Sequence, residues 1–153
     1  MTFSVNGSLP TDLAARIRIG ISEAGHMVGQ ALVKRARDGI LSGSKSGAYY
    51  DTLFFTIGSG AGRRIVAYGS RPGHQASAAG EYSANDTAGL LNSIAYRMQG
   101  SFISFYATSP HAGYQEYGTD KIAARQNLKK AIDESDAEIR AILQQIVFRA
   151  LGR

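Results

Sequence analysis

Cysteine is absent from this 153-residue chain. That excludes disulfide bridges and thiolate metal sites, zinc fingers among them. Charge is scarce: Asp, Glu, Lys and Arg make up 19% of the residues, against ~25% in ordinary soluble domains. A subunit covered on its flanks by neighbours needs less charge, and 18 glycines dilute the count further. No apolar run approaches the ~20 residues that span a bilayer, so no membrane partner is expected. The opening Met1-Thr-Phe-Ser-Val-Asn-Gly7 has neither a basic n-region nor an apolar h-region. The expectation is a chain made in the cytoplasm that stays soluble there or joins a particle assembled there.

The length fits one domain covering residues 1–153. A chain of this size buries roughly 68–70% of its unfolded surface, enough for a core. The net charge is +5, a modest field that favours anionic partners such as DNA or an acidic protein face. No run of Lys and Arg exceeds two residues apart from the mixed Lys34-Arg-Ala-Arg37. Charge alone therefore points to nucleic acid only weakly.

Apolar periodicity divides the chain into three parts. Leu13, Ile17, Ile21, Ala24, Val28 and Leu32 recur at helical spacing. They predict a long helix within residues 9–40, capped by Thr11 and stopped at Gly39. Gly20, Gly25 and Gly29 weaken it by up to ~1 kcal/mol each, which implies close packing against a strand or else a kink. Residues 49–57 and 64–68 predict a hairpin around Gly58-Ser-Gly-Ala-Gly62. Residues 69–88 lack any period, and so long a structureless run is usually functional or disordered. Residues 90–98 and 102–108 predict a second hairpin, residues 111–117 a helical turn stopped by Gly118, and residues 128–150 one long helix. Lys130–Glu134 and Asp136–Arg140 are spaced to pair on its wet face. The class is α+β: a long N-terminal helix, a small antiparallel sheet with extended loops, and a long C-terminal helix.

The candidate chemistry is thin. His26 sits among structural helix positions. His74 and His111 sit in loops, with Ser77, Ser109, Glu81 and Glu116 near them in the sequence, but no G-x-S-x-G elbow accompanies them. Asp133, Glu134, Asp136 and Glu138 read as a solvated helix face. The glycine run at 58–62 lacks a Walker lysine and precedes a strand rather than a helix. No metal, cofactor or catalytic residue is assigned, and an enzyme is not expected. Arg63, Arg64 and Arg71, with Tyr68, form a small basic-aromatic group suited to DNA. The second expectation is therefore a sequence-independent DNA-binding accessory protein.

The segments Lys45-Ser-Gly-Ala-Tyr-Tyr50, His74-Gln-Ala-Ser-Ala-Ala-Gly-Glu81, Asn85-Asp-Thr-Ala-Gly-Leu-Leu-Asn-Ser-Ile94 and Tyr114-Gln-Glu-Tyr-Gly-Thr119 occur in that order. In these segments the chain resembles the head–tail joining, neck or tail-completion proteins of tailed bacteriophages. The likeness runs over residues 45–132. Ala79 stands where that family usually has proline, and Arg125-Gln-Asn-Leu128 where Arg-Pro-Phe is typical. The resemblance implies a virion structural protein, assembled in the host cytoplasm as a ring of six or twelve copies. Its implied partners are itself, head-completion or connector proteins, and the tail terminator or tail-tube protein, with DNA passing through the lumen. A ring needs two complementary patches per subunit. One is assigned to Ser46, Gly47, Tyr49, Tyr50, His74, Gln75, Ser77, Glu81, Asp86, Tyr114, Glu116, Tyr117 and Thr119, with Arg63, Arg64 and Arg71 facing the DNA. On this reading the 69–88 loop is ordered only by a neighbour. Replacing Glu116 and Tyr117 together is then expected to abolish joining without unfolding the monomer.

Overall fold

The computed structural model describes residues 11–50, 55–57, 64–66, 73–84 and 88–152. One uninterrupted helix, α1 (Thr11–Ser42), opens it. Of the residues read at helical spacing Ala24, Val28 and Leu32 are buried, Ala36 and Ile40 continue that side, and Ile21 is exposed. Asp12 lies in its first turn, where the helix dipole favours an acid. Thr11 is already helical, and the helix passes through Gly39, the predicted stop. The overrun has a cause in hydrogen bonding. Ser42 Oγ donates to Asp38 O at 2.7 Å, and Lys45 Nζ donates to Gly39 O at 3.3 Å. The last carbonyls thus find partners beyond the glycine.

The helical glycines serve packing, and the helix runs through them without interruption. A Cβ on Gly25 would overlap Met98, and one on Gly29 would overlap the Tyr96 ring. Both partners belong to β5 (Ile94–Gln99), which pairs antiparallel with β6 (Phe102–Ala107) through the turn at Gly100 and Ser101. The sheet therefore lies on the helix backbone itself. Gly20 meets Ile146 of a later helix in the same way. Ile94 and Ile40, each about 1% exposed, join Ala36, Tyr82 and Ala131 in the core. Full burial of such a side chain contributes about 1.5–3 kcal/mol.

Four predicted elements are corrected. The strand expected from Leu90 begins at Ile94, because α2 (Gly89–Ser93) forms first. Asn92 N donates to Ala88 O at 2.9 Å, and Leu90 and Leu91 both pack on the core, which an alternating strand does not allow. The strand expected over 49–57 is two strands in two sheets. β1 (Tyr49–Tyr50) pairs with β4 (His74–Gln75), and β2 (Phe55–Ile57) pairs with β3 (Arg64–Val66), all antiparallel. The β2–β3 hairpin agrees with the sequence. The loop expected to need a neighbour is ordered within the chain over residues 73–84, by the bonds described below.

The long C-terminal helix is broken. α3 (Ala112–Tyr117) ends at Gly118 as expected, but α4 (Asn127–Glu134) and α5 (Asp136–Ala150) are separate. Ser135 between them has φ −95° and ψ 0°. Its N–H is shared by the Ala131 and Ile132 carbonyls at 3.1 Å each. The bend lets α4 pack on the C-terminal half of α1 while α5 packs on the N-terminal half: Ala131 joins Ala36 and Ile40 in one cluster, and Ile146 faces Gly20. Asp136 and Arg140 pair at 2.8 Å. Lys130 and Glu134 turn instead to the loop, and Lys129 pairs with Asp133. The architecture is α+β.

Candidate assembly surface

Three of the four motif segments meet at the C-terminal end of α1. Their anchor is Glu81. Its carboxylate accepts from Ser46 Oγ at 2.7 Å, Ser46 N at 3.0 Å and Ala78 N at 2.8 Å. These bonds, the Ser46 hydroxyl foremost, hold the Glu81 pKa down to about 2. Gly47 N donates to Ala76 O at 2.9 Å, and Ala76 N donates to Ala48 O at 2.9 Å. Gln75 Nε2 donates to Gly47 O. A Cβ on Gly47 would strike the Ala76 and Ser77 carbonyls, so glycine is needed for two backbones to lie this close. The loop at 44–48 and the loop at 74–81 are one unit.

The 114–119 turn joins that unit through polar side chains that are largely hidden. Arg125 Nε donates to Ser77 Oγ at 2.6 Å and Arg125 Nη2 to Ser77 O at 2.9 Å. Asn127, 2% exposed, accepts from Ser83 N at its Oδ1 and donates from Nδ2 to Ser83 Oγ, both at 2.8 Å. Ser83 Oγ in turn donates to Gln115 Oε1 at 3.0 Å, and Arg125 N donates to Gln115 O at 2.8 Å. Glu116 reaches α4, accepting from Leu128 N and Lys129 N at 3.0 Å each. These are orphan donors of the first helical turn. Gln126, at φ 52° and ψ 47°, supplies no side-chain cap of its own.

A second layer closes the block from the α1 side. Tyr82 Oη donates to Glu134 at 2.8 Å, and Lys130 Nζ lies 4.5 Å from the Tyr82 ring centroid while donating to Gly80 O at 2.7 Å. Burial first, and then the bond to Glu134, pushes the Tyr82 hydroxyl well above its ordinary range. Lys45 Nζ donates to Tyr82 O at 3.1 Å, and burial lowers its pKa.

The predicted interface residues therefore separate into two kinds. Ser46, Gly47, Gln75, Ser77, Glu81 and Glu116 bond within the chain, and Ser77 is buried. Thr119 folds its own turn: its N–H donates to Ile122 O at 2.8 Å, and its Oγ1 accepts from Ile122 N. His74 is half-buried in β4. Tyr49, Tyr114 and Tyr117 point outward, at 64%, 57% and 85% exposure. Tyr50 lends its backbone to β1, and Arg64 lends its backbone to β3. Asp86, Arg63 and Arg71 lie outside the described residues, as do the Arg64 and Tyr50 side chains. Because Glu116 holds α4, the Glu116/Tyr117 double substitution does not isolate a surface; substitution of Tyr114 and Tyr117 does.

Comparison with family models, with curated proteins and with solved structures finds no match. The other chemical candidates resolve into local contacts. His26 Nδ1 lies 3.2 Å from Tyr96 Oη, with the rings edge-on. Among the described residues no three of His, Asp and Glu converge as a metal cluster would. Sequence reading passed over Tyr82, Ser83, Gln115, Arg125 and Asn127 as site residues. The available signal was the polar Arg125-Gln-Asn127 run directly ahead of Leu128, where a helix start needs donors satisfied.

Proposed function

We propose that this chain is a structural protein of the head–tail junction of a tailed bacteriophage. It works as a ring of six or twelve copies between the head connector and the tail, with DNA passing through the lumen. Head-completion or connector proteins contact one side, and the tail terminator or tail-tube protein contacts the other. One observation carries this reading. Segments 45–50, 74–81 and 114–119, which bear the resemblance, lie up to 74 positions apart in the sequence and are hydrogen-bonded into one block. A rigid block that leaves tyrosine rings in solvent suits a docking surface, since little order remains to be imposed on binding and tyrosine is enriched at interfaces.

The test is electron microscopy of a lysate from a phage whose copy of this reading frame is inactivated. Filled heads beside separate, complete tails are expected. Intact infectious particles would refute the reading. Binding of the purified chain to duplex DNA with a steep salt slope would then favour the accessory DNA-binding protein. At the residue level, the Y114A/Y117A variant is expected to keep its melting temperature and to fail in a joining assay with purified heads and tails.

A further inference from the structure

We propose that the outer edge of β6 pairs with the same edge of a second copy of this chain, as antiparallel strands about a two-fold axis. This goes beyond the head–tail reading and does not depend on it.

The parity of the ladder identifies the groups involved. Thr108 N donates to Ser93 O at 3.2 Å, which extends the β5–β6 register by one pair. Residues 106, 104 and 102 are then the bonded partners of 95, 97 and 99. The N–H and C=O groups of Ile103, Phe105 and Ala107 must point the other way, out of the two-stranded sheet. No hydrogen bond from these groups reaches another described residue. On the β5 side the same parity turns Ile94, Tyr96 and Met98 outward, and there an α1 side chain takes one group, Arg37 Nη2 donating to Ile94 O at 3.1 Å. On the β6 edge none of the outward groups has a partner among the described residues.

An open edge takes an extended strand by main-chain bonding. A second copy fits for two reasons. The first is charge. Each copy carries +5, yet residues 98–115 contain no Asp, Glu, Lys or Arg. Two like-charged copies meet with least repulsion along this stretch. β6 reads Phe-Ile-Ser-Phe-Tyr-Ala and has neither the lysine nor the proline that natural edges use to stay apart. The second reason is self-complementarity. With the axis at Phe105, Ile103 faces Ala107 of the other copy and Phe105 faces its own equivalent. All six outward groups of each strand are then paired, with no further segment required. The contact is isologous and stops at two copies. It also draws the rings of Phe102, 77% exposed, and Tyr106 into one four-stranded outer face.

The register makes the test specific, because it sets Ser104 beside Tyr106 of the other copy on the solvent face. Sedimentation equilibrium of the full chain should give twice the 16.3 kDa chain mass. S104K/Y106K places lysines against lysines across the axis and should halve the mass, with the far-UV circular dichroism of the wild type retained. S104E/Y106K places opposite charges across the same axis and should restore the doubled mass. A monomeric wild type overturns the proposal. So does an assembly of any size that S104K/Y106K leaves intact, or a lysine-pair defect that S104E/Y106K fails to repair.

Discussion

Removing the Asn127 side chain tests whether the loop block is a bonded unit or a set of loops that happen to touch. Asn127→Ala strips the acceptor from Ser83 N–H and the donor from Ser83 Oγ, both bonds of 2.8 Å with partners at most 3% exposed. A buried N–H left without a partner costs about 1–3 kcal/mol, and loss of the second bond adds about 1 kcal/mol. The expected total is about 2–4 kcal/mol, or about 4–16 °C in Tm for a domain of this length. Urea denaturation followed by far-UV circular dichroism measures the stability. Hydrogen exchange of the Ser83 amide, slow in the wild type and fast in the variant, locates the loss. Ser83→Ala shares one bond with Asn127→Ala, so the double variant should fall short of the sum of the singles by about 1 kcal/mol. A loss under about 0.5 kcal/mol with an unchanged Ser83 amide would be incompatible with the 2.8 Å bonds and would remove the basis for calling the block rigid.

Three further outcomes follow from the same geometry. The folded Glu81 pKa of about 2 lies below the ordinary 4.5, so its contribution to stability is complete above about pH 4.5 and is lost as pH falls toward 2. Carboxyl NMR should show its midpoint near 2, and E81Q should flatten the acid limb of the stability curve; an ordinary midpoint would contradict the three bonds. Gly29→Ala should destabilise by about 1–2 kcal/mol, since overpacking against Tyr96 outweighs the gain in helix propensity. Gly113→Ala, whose new methyl would meet nothing, should be neutral or stabilising by up to about 1 kcal/mol; equal effects at the two sites would rule out the close helix–sheet approach. Ser135 Oγ is fully buried without a hydrogen-bond partner, so Ser135→Ala should raise stability by about 1 kcal/mol, and a loss of that size would mean that the hydroxyl is bonded.

The elements driven by apolar periodicity were legible in the sequence. α1 and the β5–β6 hairpin stand because Val28, Leu32, Ile94 and their neighbours bury one side of each element. The break at Ser135 was invisible because the spacing from Leu128 through Ile146 stays helical across it, and one non-helical residue leaves no mark on such a pattern. The β1–β4 pairing joins strands of two residues, too short for any alternation to show. The loop block was legible only as motifs. Its bonds rest on Asn127, Arg125, Ser83 and Gln115, polar residues that sequence reasoning places in water by default. Glu116 was read as a surface carboxylate for the same reason, although the donors it satisfies begin 12 positions later.

The antiparallel lie of α1 against α5 has a practical consequence for orienting the molecule. Arg16 Nη2 donates to Arg149 O at 3.2 Å, and Glu23 meets Arg149 at 3.4 Å. Both ends of the described chain thus lie at one pole. Gly39, beside Tyr82 and the loop block, is 23 helical residues from Arg16, or roughly 35 Å at 1.5 Å per residue. A label attached at Thr11 or at Gly152 marks the same pole, away from the loop block. One such label is then enough to tell which way the molecule points.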